Sequence, residues 1–140
     1  MNPSTIVMDA GPDPFVFNIE DATKDNTTLR TSLWTGKHLQ ITVMDIKPGE
    51  DIGLERHENW DQFLRVEQGT GVVNMGYSKD NLNLRAPADS STAIIVPAGV
   101  WHNLINTGNQ SLKVYSIYSP PAHPWNTIHE TKEDAEAAEE

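Results

Sequence analysis

Apolar and polar residues alternate over short runs through most of this chain, and turn residues break the runs every eight to twelve positions. Leu29 to Trp34 is a short run closed by Thr35-Gly36. His38 to Ile46, HLQITVMDI, is the clearest strand of the N-terminal half: Leu39, Ile41 and Val43 fall on one face, and Gln40, Thr42 and Met44 on the other. Pro48-Gly49 ends it. Gln62 to Val66 alternates again, Gly69-Thr-Gly71 is a tight corner, and Val72 to Tyr77 runs back. A brief strand is expected at Leu82 to Leu84, with loops at Ser78 to Asn81 and Ala86 to Ser91. Thr92 to Val96, TAIIV, reads as a fully buried strand before the turn Pro97-Ala-Gly99. Trp101 to Asn106 and Leu112 to Tyr118 complete a set of eight or nine strands. Such spacing, with no convincing helix before the C-terminus, predicts an antiparallel all-β sandwich or barrel.

The flanks have a different pattern. Residues 1–28 hold Pro3, Gly11, Pro12 and Pro14 and few periodic apolar positions, so they are expected to form an arm lying over the domain. Phe15-Val-Phe17 within it is a candidate edge strand and edge cover. The barrel then spans 29–120. After the last strand, Pro120 and, in the tail 121–140, Pro121 and Pro124 argue against regular strands, and Thr131 caps a last helical turn with Asp134 three residues on.

Charge narrows the partners. The formal net charge is -10, of which the final ten residues, TKEDAEAAEE, carry -4. That balance argues against nucleic acid and anionic membrane. No apolar run approaches the length of a membrane helix, and the N-terminus lacks a signal-peptide pattern, so the expectation is a soluble cytoplasmic protein. There is no cysteine. Any metal site must therefore use His, carboxylate or amide groups.

Candidate chemistry lies in two stretches, PGEDIGLERHENWDQFLRVEQGTG (Pro48 to Gly71) and PAGVWHNLIN (Pro97 to Asn106). Residues two apart on a strand share a face, so Glu55 and His57 point to one side. Gln62 can face the same interior across the returning strand, and His102 follows a Pro-Ala-Gly turn that starts another. Asp61, Arg56 and Arg65 have the opposite parity and are expected outside the barrel. His38, His123 and His129 lie outside both stretches and read as surface residues. Trp34, Trp60 and Trp101 are candidates for a pocket rim or for core.

The two stretches resemble the motifs of the cupin superfamily. The first motif is matched by Gly49, Glu55, His57, Gln62 and Gly69, and the second by Pro97, Gly99, His102 and Asn106, with Ser91 where the leading Gly stands. The resemblance covers roughly residues 38 to 118. It implies a jelly-roll β-barrel with a short C-terminal helix or tail, frequently a homodimer. It also implies one divalent transition metal (Fe, Mn, Ni, Zn or Co) held at Glu55, His57, Gln62 and His102. Glu55 replaces a usual His and Gln62 a usual Glu, so the set keeps a single negative charge. Glu55, His57 and His102 would form a two-His-one-carboxylate triad with open positions. The corresponding function is a metal-dependent enzyme (dioxygenase, isomerase, cyclase or decarboxylase) acting on a small organic molecule, with oxygen as a co-substrate in the first case. The alternative is a non-catalytic small-molecule or metal-binding module, because fold does not fix function.

Overall fold

A computed structural model describes residues 8–138. The first seven residues, Pro3 of the expected arm among them, and the acids Glu139 and Glu140 lie outside the described residues. Nine strands are present: β1 Arg30–Thr35, β2 Gln40–Ile46, β3 Asp61–Gln68, β4 Thr70–Gly76, β5 Leu84–Asp89, β6 Ala93–Val96, β7 Trp101–Asn106, β8 Leu112–Ser119 and β9 Ile128–His129. They form a six-stranded sheet in the order β6-β3-β8-β2-β1-β9 and a three-stranded sheet β5-β4-β7. All pairs are antiparallel. This is the expected jelly-roll barrel.

The barrel closes on one apolar core. Met44 and Ile46 of β2, Leu64 and Val66 of β3, Val73 of β4, Leu104 of β7 and Val114 of β8 all belong to it. Even-numbered positions of β2 therefore face inward, and these include the polar Gln40 and Thr42, both fully buried. The odd face of β2 is covered as well. Val43 joins Leu33 and Ala22 in a second, smaller core, with Phe17 and Tyr115 packed against it.

Ala22 belongs to a helix that the sequence pattern does not suggest, α1, Ile19–Asp25. The Asn18 side chain accepts a hydrogen bond from the Asp21 amide at 2.9 Å, and Glu20 and Asp21 stand in the first turn, where the helix dipole favours acids. A seven-residue helix is too short to persist alone, so its buried Ala22 and Thr23 are what hold it. Phe15-Val-Phe17 forms no strand. Its two rings stack at 5.0 Å and lead into α1 over the sheet face, not over an edge. At the other end α2, Lys132–Ala138, begins as expected, with the Asp134 amide donating to Thr131 Oγ1 at 3.2 Å.

Two other expectations are corrected. Ala86 to Ser91 is not a loop, because most of it is β5. Pro87 fits there because β5 is the outer strand of its sheet, where a missing N–H costs no ladder bond. TAIIV is not fully buried. β6 is also an edge strand, and its residues alternate, with Ile94 and Val96 inside and Ile95 57% exposed. Ser91, at the position of the motif's missing Gly, adopts φ 74°, the left-handed conformation that glycine takes most easily.

Candidate metal centre and its cavity

The segment Gly49–His57 is not a regular strand, yet it pairs with the free edge of β7. Ile52 N donates to Leu104 O at 3.1 Å, and Glu55 exchanges both backbone hydrogen bonds with His102, at 3.0 and 2.9 Å. Asp51 is opposite Ile105, and Glu55 is opposite His102. The segment thus advances four residues while β7 advances three. Gly53 and Leu54 face Asn103 alone, which makes a β-bulge with Gly53 at φ 87°. A one-residue slip moves every later side chain to the other face. Ile52 faces the core before the bulge. After it, Glu55 and His57 face in, while Leu54 and Arg56 are exposed.

His102 is set by the turn Pro97–Val100. Val100 N donates to Pro97 O at 3.2 Å with Gly99 at φ 89°, a conformation that requires glycine at the third turn position. Gly99 N then donates to His57 O at 2.7 Å, so this turn ties the two histidine segments together. Asp61 is placed outside, as its parity suggests, and accepts from the Ala98 amide at 2.9 Å.

Glu55, His57 and His102 converge, each with a ligand atom within 4.8 Å of the others. Glu55 Oε1 lies 3.2 Å from His57 Nε2 and 3.6 Å from His102 Nε2. His102 is 2% exposed and its Nδ1 stands 3.1 Å from Val100 O. That carbonyl can only accept, so the ring donates from Nδ1 and the neutral form turns an Nε2 lone pair toward Glu55. Nε2 is buried and without a hydrogen-bond partner. Burial pushes the Glu55 carboxyl up, but the contacts with His102 and His57 outweigh it and bring it down to about 2. A carboxylate and a buried imidazole lone pair thus face one another, an arrangement that a divalent cation satisfies.

Gln62 is buried on the inward face of β3, in register with Leu64 and Val66. Its Nε2 donates to Ser116 Oγ at 3.3 Å, and its Oε1 is buried with no partner. The amide therefore keeps a free acceptor inside the barrel. Asn106 has a structural part, donating to Ile46 O and Gln110 O at 2.8 Å each.

A cavity of about 460 Å³ opens beside the cluster, lined by Glu55, His57 and Trp60 on one side and by His123, Thr127 and His129 on the other. Trp60 packs on His57 with ring centroids 4.7 Å apart, so it is a cavity wall. Trp101 carries Arg56 and Lys79 over its ring and takes no part in the cavity lining. Arg56 reaches the cavity edge, although it pairs outward with Glu58 at 2.6 Å. Arg65 pairs with Glu67 away from the cavity.

The reading of His123 and His129 as surface residues is overturned. Both line the cavity, 6.0 Å apart between ring centroids. Burial, then the Arg30 charge, brings the His123 imidazole down to about 3, so it is neutral at ordinary pH. His38 is exposed, as expected. What places the C-terminal segment is a buried polar network. Gln40 accepts from the amides of Ala122 and His123 at 3.0 and 2.9 Å and donates to His123 O at 2.9 Å. Asp9, 2% exposed, accepts from Ser32 Oγ at 2.6 Å and from the Asn126 amide at 3.2 Å. The one signal for this in the sequence is Gln40 itself, a polar residue on the inward face of the clearest strand.

Among the described residues no helix is long and apolar enough to cross a membrane. A family model described as Cupin domain matches residues 42–118. The uncharacterized protein YrkC of Bacillus subtilis (strain 168) is 62% identical over 135 residues, 96% of this chain and 73% of YrkC. The crystal structure of BH2720 from Bacillus halodurans superposes with a TM-score of 0.92 at 59% identity, covering 94% of this chain and 99% of that one. Auxin-binding protein 1 of Arabidopsis thaliana is 28% identical over 120 residues, 77% of this chain and 60% of that protein.

Proposed function

The chain belongs to the cupin family, and on that footing we propose that it is a metal-dependent enzyme acting on a small organic molecule. One divalent transition metal would be held by Glu55, His57 and His102, with the Gln62 oxygen as a weak fourth donor. The observation that carries this reading is the Glu55–His57–His102 cluster at the wall of a cavity of small-molecule size. Two imidazoles and a carboxylate leave positions open for a substrate with two adjacent oxygens. A bound metal would supply Lewis acidity or, if iron or manganese, redox chemistry with oxygen. The residues supply the rest. Glu55 provides the single negative charge, and Val100 O holds His102 in the tautomer that presents Nε2. Trp60 covers His57 and restricts water.

A second reading, a binding module without turnover, draws support from the similarity to a protein named for binding auxin. The two part on product formation, screened under air and under nitrogen with the metal-loaded protein. A homodimer and a cytoplasmic location belong to the same proposal. The exposed Tyr77, Leu84 and Ile95 support the homodimer, and sedimentation equilibrium reads it.

Manganese titration tests the site. One ion per chain is expected, with stoichiometric binding lost in His57→Ala and in His102→Ala. Glu55→Gln should weaken affinity at least about tenfold, or about 1.4 kcal/mol. Gln62→Glu in that background should restore much of it, since the two residues would share one ion. Unchanged affinity in Glu55→Gln would refute the triad.

A further inference from the structure

We propose that the C-terminal wall of the cavity is an anion subsite. There His129, backed by the buried guanidinium of Arg30, takes the carboxylate of a small organic acid. That the rest of this acid faces the Glu55–His57–His102 cluster rests on the function proposed above. The subsite itself does not.

Two cations of the described residues are buried, Lys113 and Arg30. Lys113 has a counter-charge, Asp45, at 3.1 Å. Arg30 is 6% exposed and, among the described residues, has no carboxylate within 4 Å. Its Nε is buried with no hydrogen-bond partner. A buried charge without an opposite charge is costly, and such a site is one that an anion improves. The guanidinium's side-chain contact is with His129, Nη1 to Nδ1 at 3.0 Å. Arginine only donates, so His129 Nδ1 accepts and the neutral ring carries its proton on Nε2. Burial and the Arg30 charge both push the His129 pKa down, which favours that neutral form. The ring lines the cavity. It therefore presents to the cavity an N–H donor polarised by the cation behind it, the donor type a carboxylate accepts.

The surroundings fit one small monoanion. Glu55 is engaged by His57 and His102 and so does not compete for the Arg30 charge. Arg56 is engaged by Glu58 and so does not compete for the anion, and Asp134 acts on His129 only from beyond 4 Å. Trp60, Ala122, Pro124 and Ala138 give apolar walls between the two polar ends. The chain as a whole carries -10. Anion binding here has to come from local geometry, since the net charge repels it.

The test uses full-length protein stripped of metal with a chelator and titrated with benzoate and with benzamide. These share a ring and differ in charge. Side-chain signals of nitrogen-15-labelled histidine report binding. Expected is saturable benzoate binding that shifts the His129 signals, with benzamide weaker by at least about tenfold. His129→Gln can accept from Arg30 and still donate to the cavity, so it should retain benzoate, followed at His123. Arg30→Met and His129→Phe should each weaken benzoate by at least about tenfold. His129 sits on a two-residue strand, so His129→Phe keeps the test valid if Arg30→Met fails to fold. Equal binding of benzamide, benzoate affinity unchanged in His129→Phe, or no benzoate binding to the wild type overturns the subsite. Phenyl phosphate binding more tightly than benzoate overturns the carboxylate assignment. The probe needs no metal. A protein that discriminates benzoate but takes no manganese refutes the metal reading alone, and the reverse result refutes the subsite alone.

Discussion

The two walls of the cavity are built by different means. One wall is backbone. Glu55, His57 and His102 are carried by the pairing of Gly49–His57 with β7 and by the turn at Gly99, and their side chains follow from register. The other wall is hung from side chains. His123 and His129 belong to a proline-rich segment held by hydrogen bonds to Gln40 and Asp9 and by the two-residue β9. In the first, one extra residue would turn Glu55 and His57 away from His102. In the second, losing an anchor would loosen the segment while Glu55, His57 and His102 stay where they are. A metal site needs the first kind of precision, since its ligands must hold distances within a few tenths of an ångström. A wall that admits and releases a small molecule can be built in the second way.

The largest effect should come from the bulge. Inserting one alanine between Leu54 and Glu55 moves Glu55 from its place opposite His102 to one opposite Trp101 and puts Glu55 and His57 on the outer face. Stoichiometric manganese binding should vanish while the β-type circular dichroism spectrum persists. Gly53→Ala keeps the residue count. Its added Cβ meets nothing within 4 Å, so the cost is that of φ 87° alone, about 1–2 kcal/mol of stability, with metal still bound. Full manganese occupancy in the insertion variant would mean that the extra residue is taken up elsewhere and register does not set the site.

The next effect concerns the hung wall. Burial pushes the Asp9 carboxyl up, but the hydrogen bonds from Ser32, Thr35, Gly11 and Asn126 outweigh it and hold it below the usual carboxylate range. The folded pKa is therefore below the unfolded one. The stability this contributes is present above the unfolded value of about 3.9 and is lost as pH falls through the folded value. Asp9→Asn should cost about 1.5–3 kcal/mol at neutral pH. It should also flatten the loss of stability below about pH 4, read by urea unfolding across pH. Hydrogen exchange at residues 120–131 should quicken, and manganese affinity should stay within about twofold. A large loss of affinity would show that the walls are one cooperative unit and remove the contrast.

The contrast also explains what could be read in the chain. The convergence of Glu55, His57 and His102 and the inward face of Gln62 were legible because strand parity and motif spacing are local properties. The bulge that makes the parity work was not, since Gly53 is followed by an ordinary-looking Leu54. His123 and His129 could not be found by spacing. Their positions depend on Gln40, 83 residues before His123, and on Asp9, 117 before Asn126. Neither partner carries a pattern that points to the other. The fold was legible through turn spacing, but edge position was not, which is why Pro87 read as loop and Ile95 as core. Ser91 shows the opposite case, a motif departure whose φ of 74° reveals what the usual glycine is for.

The smallest effect tests the direct tie between the walls. Lys132 of α2 reaches Asp51, on the segment that carries Glu55, at 2.5 Å. The Lys132 pKa is raised by the Asp51 contact, and the Asp51 carboxyl is lowered because the contacts with Lys132 and Asn103 outweigh its burial, so both partners indicate attraction. Both side chains are about a third exposed, and solvent screens such a pair to under about 1 kcal/mol. Lys132→Met should therefore lower stability by no more than that, and the difference from wild type should shrink between about 0.05 and 1 M salt. Ala135, packed in the core, should keep α2 docked without the ion pair. Hydrogen exchange in α2 should then rise only slightly, with none of the change spreading to Glu55. If Lys132→Met instead releases α2 and alters manganese affinity, the ion pair is the hinge on which both walls depend, and the hung wall is fastened from the metal side.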